Sequence, residues 1–252
     1  AEQTEEIVVN AEEFIEKEPL TIILSTMGWI RAAKGHLDLA ALDMKFKEGD
    51  ELHTAFHAQS TDKVNLFVSG GKMFTLSANE LPSARGFGES VRMMADIAAD
   101  DEIVRAFVLD QNAKYLLVAR HGTGFIVAGE ECLAQTKNGK QVMNTDPKNR
   151  AVLCIDVTGE YVALSGSNDK LLIFNTSEIP EMSPGKGVIL QTYNAERTYV
   201  IDAMFFDGAD GFGWTTGRGT TKLDDWPPYV GKRASQGRTM PVGFPRNGKF
   251  GK

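Results

Sequence analysis

Residues 64–77 read VNLFVSGGKMFTLS: an apolar run, a Ser-Gly-Gly turn and a second apolar run. β-branched and aromatic residues on both sides of a small-residue turn are a hairpin signal, and glycine reaches φ > 0 at the reversal without steric cost. The same plan recurs in LTIILSTMGWIRAA (20–33), KYLLVARHGTGFIVA (114–128), EYVALSGSNDKLLIFN (160–175) and GFGWTTGRGTTKLDD (211–225). The turns centre on Gly28, Gly71, Gly122, Gly166 and Gly217, at spacings of 43, 51, 44 and 51 residues. Behind each hairpin comes a Gly-containing box: AAKGHLDL (32–39), SARGFGESV (83–91), TKNGKQVMN (136–144), SPGKGVILQ (183–191) and ASQGRTMPV (234–242). A further strand then leads to the next hairpin, as in DEIVRAFVLD (101–110), AVLCIDVTG (151–159) and YVIDAMFFDG (199–208). A β unit of about 45 residues cannot bury its apolar face alone and buries it against its neighbours. Five such units over about 19–245 predict an all-β, propeller-like ring of five four-stranded blades. The helical candidates are short: TDPKNR (145–150), SEIPEM (177–182) and NAEEFIEKE (10–18), where Asn10 is a legitimate cap with Glu13 three residues on.

The 252 residues are 42% hydrophobic and 24% charged, ordinary for a globular protein and wrong for a disordered one. No apolar run approaches the roughly 18–20 residues of a spanning helix, so a membrane is not an expected partner. The first segment is acidic and lacks the pattern of a signal peptide. Two cysteines, Cys132 and Cys154, make no disulfide framework and suit a reducing cytoplasm. The formal net charge of −7 argues at first against a nucleic-acid partner, but its placement reverses that. Residues 1–18, an acidic lead, carry seven acids and one lysine, net −6. The body over 19–252, read as one domain, is −1, and its last stretch, 211–252, is +6.

PLTIILSTMGWIRAAKGH (19–36) and then LPSARGFGE (81–89) resemble the C-terminal domain of the A subunit of bacterial topoisomerase IV and, more distantly, that of DNA gyrase. LLVARHGTGFIVAGEE, LLIFNTSEIPEMSPGKGV and TTKLDDWPPYVGKRASQGRTM continue the likeness to about residue 245. The resemblance implies a β-pinwheel whose blades exchange a strand with a neighbour and whose outer edge binds and bends duplex DNA. It implies as partners double-stranded DNA, the B subunit, and the cleavage core of the same polypeptide, with a nucleoid-associated place in the cytoplasm. ATP and Mg²⁺ would belong to the whole enzyme, and this domain itself would need no cofactor. The Gln-Arg-Arg-Gly-Gly-Lys-Gly box of the gyrase form is absent, which fits a bender of DNA crossings rather than a full wrapper. The catalytic tyrosine domain is also absent, so the fragment is not expected to cleave DNA.

Duplex binding without base readout needs a curved row of Lys and Arg, and a neighbouring Gly lets backbone N–H groups approach a phosphate. The boxes offer Lys34, Arg85, Lys140, Lys186 and Arg238; the hairpin arms offer Arg31, Lys72, Arg120, Lys170, Arg218 and Lys222, with Lys232 and Arg233 beside the last box. His36, next to Lys34, is the histidine placed to touch DNA. His53 and His57 sit on a strand about 13 Å apart, too far for one metal. SGGK (69–72) and GRGTTK (217–222) match no Walker pattern. Trp29, Trp214 and Trp226, with Phe67, Phe125 and Phe174, read as packing. The alternative function is a protein-interaction propeller, which would need no continuous basic rim.

Overall fold

The computed structural model describes residues 15–194 and 196–251, and in them the chain is a succession of β-sheets linked by turns. The first sheet holds β1 (Pro19–Ser25), β2 (Trp29–Lys34), β3 (Leu52–Gln59) and β6 (Glu89–Ser90), in the order β3-β1-β2-β6. The second, β10-β5-β4-β7, is built from β4 (Lys63–Val68), β5 (Lys72–Ser77), β7 (Ile103–Val108) and β10 (Lys140–Gln141). The third, β11-β8-β9-β14, takes β8 (Lys114–Ala119), β9 (Thr123–Ala128), β11 (Ala151–Asp156) and β14 (Val188–Ile189). The fourth, β15-β12-β13-β18, takes β12 (Tyr161–Gly166), β13 (Lys170–Asn175), β15 (Val200–Phe206) and β18 (Arg238–Thr239). A two-stranded sheet of β16 (Phe212–Thr216) and β17 (Gly219–Leu223) completes the described set.

The hairpin-first strands β1, β4, β8 and β12 are buried along nearly their whole length. This explains their continuous apolar runs: each lies inside a blade packed on both faces, so alternation has nothing to select. Phe67, Phe125 and Phe174 are fully buried, and burial of each is worth about 2–3 kcal/mol. Four apolar clusters fill the junctions between successive units, the last made of Phe206, Phe212, Trp214 and Phe250 with Trp226 and Phe244 against them. Neighbouring inner strands β3, β7, β11 and β15 touch in sequence around the axis.

Each complete sheet borrows its outermost strand from the following unit. In the first, Glu89 and Ser90 pair with Ile30 and Trp29; in the third, Val188 and Ile189 pair with Gly124 and Thr123. Gly88 (φ +85°) and Gly187 (φ +82°) make these exchanges possible. A Cβ at Gly88 would stand 2.1 Å from the Ile30 carbonyl oxygen, and one at Gly187 2.2 Å from that of Gly124. The glycines of the four later boxes, Gly88, Gly139, Gly187 and Gly237, therefore serve the docking of a strand onto the neighbouring blade.

Three expectations need correction. The fifth unit forms a two-stranded hairpin rather than a four-stranded blade, its inner edge covered where the Thr215 N–H donates to the Phe250 carbonyl at 2.7 Å. In the fourth hairpin the left-handed residue is Asp169 (φ +60°), with Gly166 three residues earlier, and in the fifth it is Gly219 (φ +114°), two residues after Gly217. TDPKNR closes as a turn, and SEIPEM begins inside a single 3₁₀ turn, Thr176–Glu178. The turn expected at Asn10 lies mostly outside the described residues, and 16–18 are irregular.

Cys132 and Cys154 are both buried, and burial pushes each thiol up to about 12. Neither thiol should therefore react with DTNB at pH 8 in the native chain, while both titrate in strong denaturant. Release of two equivalents of thionitrobenzoate within minutes from the native chain contradicts this packing.

Candidate nucleic-acid interface

The swapped strands β6, β10, β14 and β18 form the outer edges of four consecutive blades, so the turns before them stand on the rim. The first is held tightly. Ala32 donates to the Pro82 carbonyl at 2.8 Å, and Ala84 donates back to Ala32 at 3.1 Å. Arg31 reaches under the turn from β2, donating from Nη1 to the Gly86 carbonyl at 2.8 Å and from Nη2 to that of Lys45 at 2.6 Å. Its guanidinium also lies over the Phe46 ring, and the residue is only 3% exposed. Burial lowers its affinity for the proton, against the opposing pull of Asp50. Arg31 is thus a clamp for the rim and offers no face to a phosphate.

Three more candidates do the same work. Lys72 Nζ donates to the Asn138 carbonyl at 3.0 Å, and Lys170 Nζ to Gln236 Oε1 at 3.1 Å. Both begin the second strand of a hairpin and hold the residue just before the swap glycine of the turn docked beside them. Arg233 Nη1 donates to the Ile189 carbonyl at 2.8 Å, tying the last box to β14. Lys140 is half-buried and paired with Glu131 at 2.8 Å.

The remaining cations face outward. Lys34, Arg85, Lys186, Arg218, Lys232 and Arg238 are exposed, and their side chains make no ion pair or hydrogen bond among the described residues. Lys137, two residues before Gly139, is exposed as well; the sequence pattern points instead to Lys140 as the basic residue of that box. Arg85, Lys137, Lys186 and Arg238 therefore place one exposed cation at each of four successive swapped turns. Their distance from the swap glycine differs, at three, two and one residues before it and one after it. The rim keeps the charge while the sequence lets its position drift.

The first box is of another kind. Lys34 ends β2, Gly35 donates to the Pro19 carbonyl, and no swapped strand follows. His36 is exposed, but its Nε2 is hydrogen-bonded with the Ala58 carbonyl at 2.9 Å and its ring stacks on His57 at 4.4 Å. Arg120 sits on the hairpin turn of the third blade with its guanidinium over Tyr199, lining a cleft of about 750 Å³ with Lys148 and His121. Arg218 tips the β16–β17 hairpin, and Lys222 Nζ donates to the Asp210 carbonyl at 3.0 Å.

Strands β3 and β7, with the turn at 110–115 and the end of β11, line an open cleft of about 730 Å³, where Arg105 is paired with Asp156 at 2.7 Å and Tyr115 Oη accepts from the Asp110 N–H. The Arg105 cation is spent within the fold, unlike those of the rim. Among the described residues no three His, Cys, Asp or Glu side chains gather to hold a metal, and no helix is long and apolar enough to cross a membrane.

The family described as DNA gyrase C-terminal domain, β-propeller, matches residues 69–110 and 160–203. The A subunit of DNA topoisomerase 4 from Rickettsia bellii is 41% identical over 245 residues, which cover 96% of this chain and 32% of that protein. Its counterpart from Caulobacter vibrioides is 42% identical over 240 residues, covering 95% of this chain and 31% of that one. The chain thus spans about a third of the length of the curated relatives it matches. Among solved structures, the E. coli ParC C-terminal domain superposes with a TM-score of 0.77 at 23% identity, covering 91% of this chain and 96% of that one. A C-terminal domain of DNA topoisomerase IV follows at 0.72 and 20% identity, covering 90% and 73%. These two likenesses speak to the fold.

Proposed function

This chain belongs to the family of C-terminal β-propeller domains found in the A subunits of topoisomerase IV and DNA gyrase, and from that premise we propose that it binds duplex DNA along its rim without reading sequence, and bends it. The observation that carries the reading is the row of exposed, unpaired cations Arg85, Lys137, Lys186 and Arg238 on four consecutive swapped turns. Such a row neutralises backbone phosphates and releases counterions, which supplies affinity without base contacts. Lys34, Lys232 and Arg218 extend the positive surface beyond it.

Within a whole topoisomerase IV, the domain would hold a DNA segment for the cleavage core of its own polypeptide. It would select the crossing to be passed during decatenation and supercoil relaxation. Bond breakage, ATP and Mg²⁺ would lie with that core and with the B subunit. The domain's part is geometric: a rigid edge, fixed by Arg31, Lys72 and Lys170 from beneath, gives the duplex a curved path at no cost in loop ordering.

The test is neutralisation one turn at a time. Arg85→Gln, Lys137→Gln, Lys186→Gln and Arg238→Gln should each weaken binding to unrelated duplexes alike and flatten the log K against log[salt] slope by about 1. Lys140→Gln, which loses a residue already paired with Glu131, should flatten it less. Energy transfer between labelled duplex ends, read on the same samples, reports the bend. Four variants with an unaltered slope would remove the rim from the interface and favour a protein partner.

A further inference from the structure

Just before their swap glycines the four rim turns carry Phe87, Asn138, Lys186 and Gln236. Three of these are polar, as suits an edge turned to water. Phe87 is 44% exposed and, among the described residues, is the one exposed phenylalanine. It joins none of the four apolar clusters that fill the blade junctions.

The ring stands on a rigid mount. Gly86 and Gly88 flank it, and a Cβ at Gly86 would meet nothing within 4 Å. The Gly86 carbonyl is held from beneath by Arg31 Nη1 at 2.8 Å. The same guanidinium holds the Lys45 carbonyl through Nη2 at 2.6 Å, so it fastens the turn beside the loop that leads to β3. Both segments present cations: Arg85, two residues before the ring, and Lys45 and Lys47 in the loop are exposed. Lys47 Nζ lies over the Trp29 ring at 3.6 Å. The side chains of Arg85 and Lys45 make no ion pair or hydrogen bond among the described residues. Glu89, beyond the swap glycine, and Asp43 and Glu48, outside the two lysines, bound these cations in sequence.

An apolar side chain set among phosphate-binding cations is how proteins wedge open a base step from the minor groove and kink the duplex. A protein partner would instead need a contiguous apolar patch. Along 83–89 the exposed neighbours of Phe87 are Ser83, Arg85, Gly86 and Glu89. We propose that Phe87 inserts between two base pairs at the first swapped turn, with Arg85 and Lys45 on flanking phosphates, and so fixes where along the rim the duplex kinks. The inference rests on the DNA-binding reading above and adds a localised kink to it. The wedge senses the ease of unstacking and contacts no base edge, so a flexible pyrimidine–purine step is its preferred place.

The probe is a G·C-rich duplex with one central thymine–2-aminopurine step and dyes on its ends. The 252-residue chain is compared with its Phe87→Ala, Phe87→Leu and Arg85→Gln variants. Wild type should raise the 2-aminopurine emission as the step unstacks, and bring the ends together through a kink of about 20° or more. Phe87→Ala should lose both signals and bind several-fold more weakly, with the log K against log[salt] slope unaltered because no phosphate contact goes. Phe87→Leu, which keeps an apolar wedge, should retain part of each signal. Arg85→Gln should flatten the slope by about 1. Equal emission and end-to-end distance for wild type and Phe87→Ala overturn the wedge while salt-dependent binding stands, and leave Phe87 to a protein contact. A wild type that binds no duplex at low salt defeats the DNA-binding reading, and the wedge with it.

Discussion

Replacing Arg150 with methionine should cost about 2–4 kcal/mol of stability, among the largest losses available to a single side chain in this molecule. Arg150 Nη2 is paired with Asp101 Oδ1 and also donates to Ser69 Oγ at 3.1 Å. Ser69 Oγ in turn donates to Asp101 Oδ1 at 3.3 Å and accepts from the Glu102 N–H at 3.0 Å. Arg92 Nη2 closes the network by donating to the Asp101 backbone carbonyl at 2.8 Å. Asp101 is 8% exposed, so loss of the guanidinium strands a carboxylate with little access to water. The network joins the loop before β7 to the residue just ahead of β11, across the junction of the second and third blades. Urea midpoints would show the loss, and Asp101→Asn on the Arg150→Met background should recover part of it, because the uncompensated charge is gone. Equal midpoints for wild type and Arg150→Met would mean that the pair adds nothing to its solvated alternative.

Gly187→Ala should cost about 3 kcal/mol or more and loosen β14 from the third blade. Two effects combine. A non-glycine residue at φ +82° is strained by about 1–2 kcal/mol, and the new Cβ would meet Gly124 O at 2.2 Å and Gly124 C at 2.4 Å, backbone that cannot swing aside. Gly243→Ala separates them, since Gly243 has φ +87° with nothing within 4 Å of its Cβ position. That control should show only the conformational part. Because Lys186 rides on the displaced turn, Gly187→Ala should also reduce duplex affinity about as far as Lys186→Gln does. A loss no greater than that of Gly243→Ala would deny that the close approach fastens the swapped strand.

The hairpins are legible because their strands are buried on both faces, so VNLFV, LLVA and LLIF carry continuous apolar runs between small-residue turns. The boxes are legible as repeats, while the strands inside them are not: Glu89–Ser90, Lys140–Gln141, Val188–Ile189 and Arg238–Thr239 are two residues each, too short to show a period. Only the family resemblance implies an exchange between blades. Among the cations, recurrence beside glycine finds Arg85, Lys186 and Arg238. It cannot separate them from Arg31, Lys72 and Lys170, because whether a basic side chain turns outward or under a neighbouring turn depends on contacts as far as 66 residues away. Lys137 stands just off the recurring pattern, on the far side of Gly139 from Lys140. The Arg150–Asp101 pair joins residues 49 apart with no local signature. The short fifth unit reads as a full blade because GFGWTTGRGTTKLDD does form a hairpin; what it lacks are the strands on either side.

The central claim is that a narrow rim of unpaired cations holds the DNA backbone. Its most direct measurement is the affinity of the wild-type chain for a labelled duplex of about 40 base pairs, read by fluorescence anisotropy from about 50 to 300 mM salt. Roughly four to seven phosphate contacts predict a linear log K against log[salt] with slope of about −4 to −6. The slope should be the same for unrelated duplexes. No binding at the lowest salt, or an affinity that ignores salt, would contradict it.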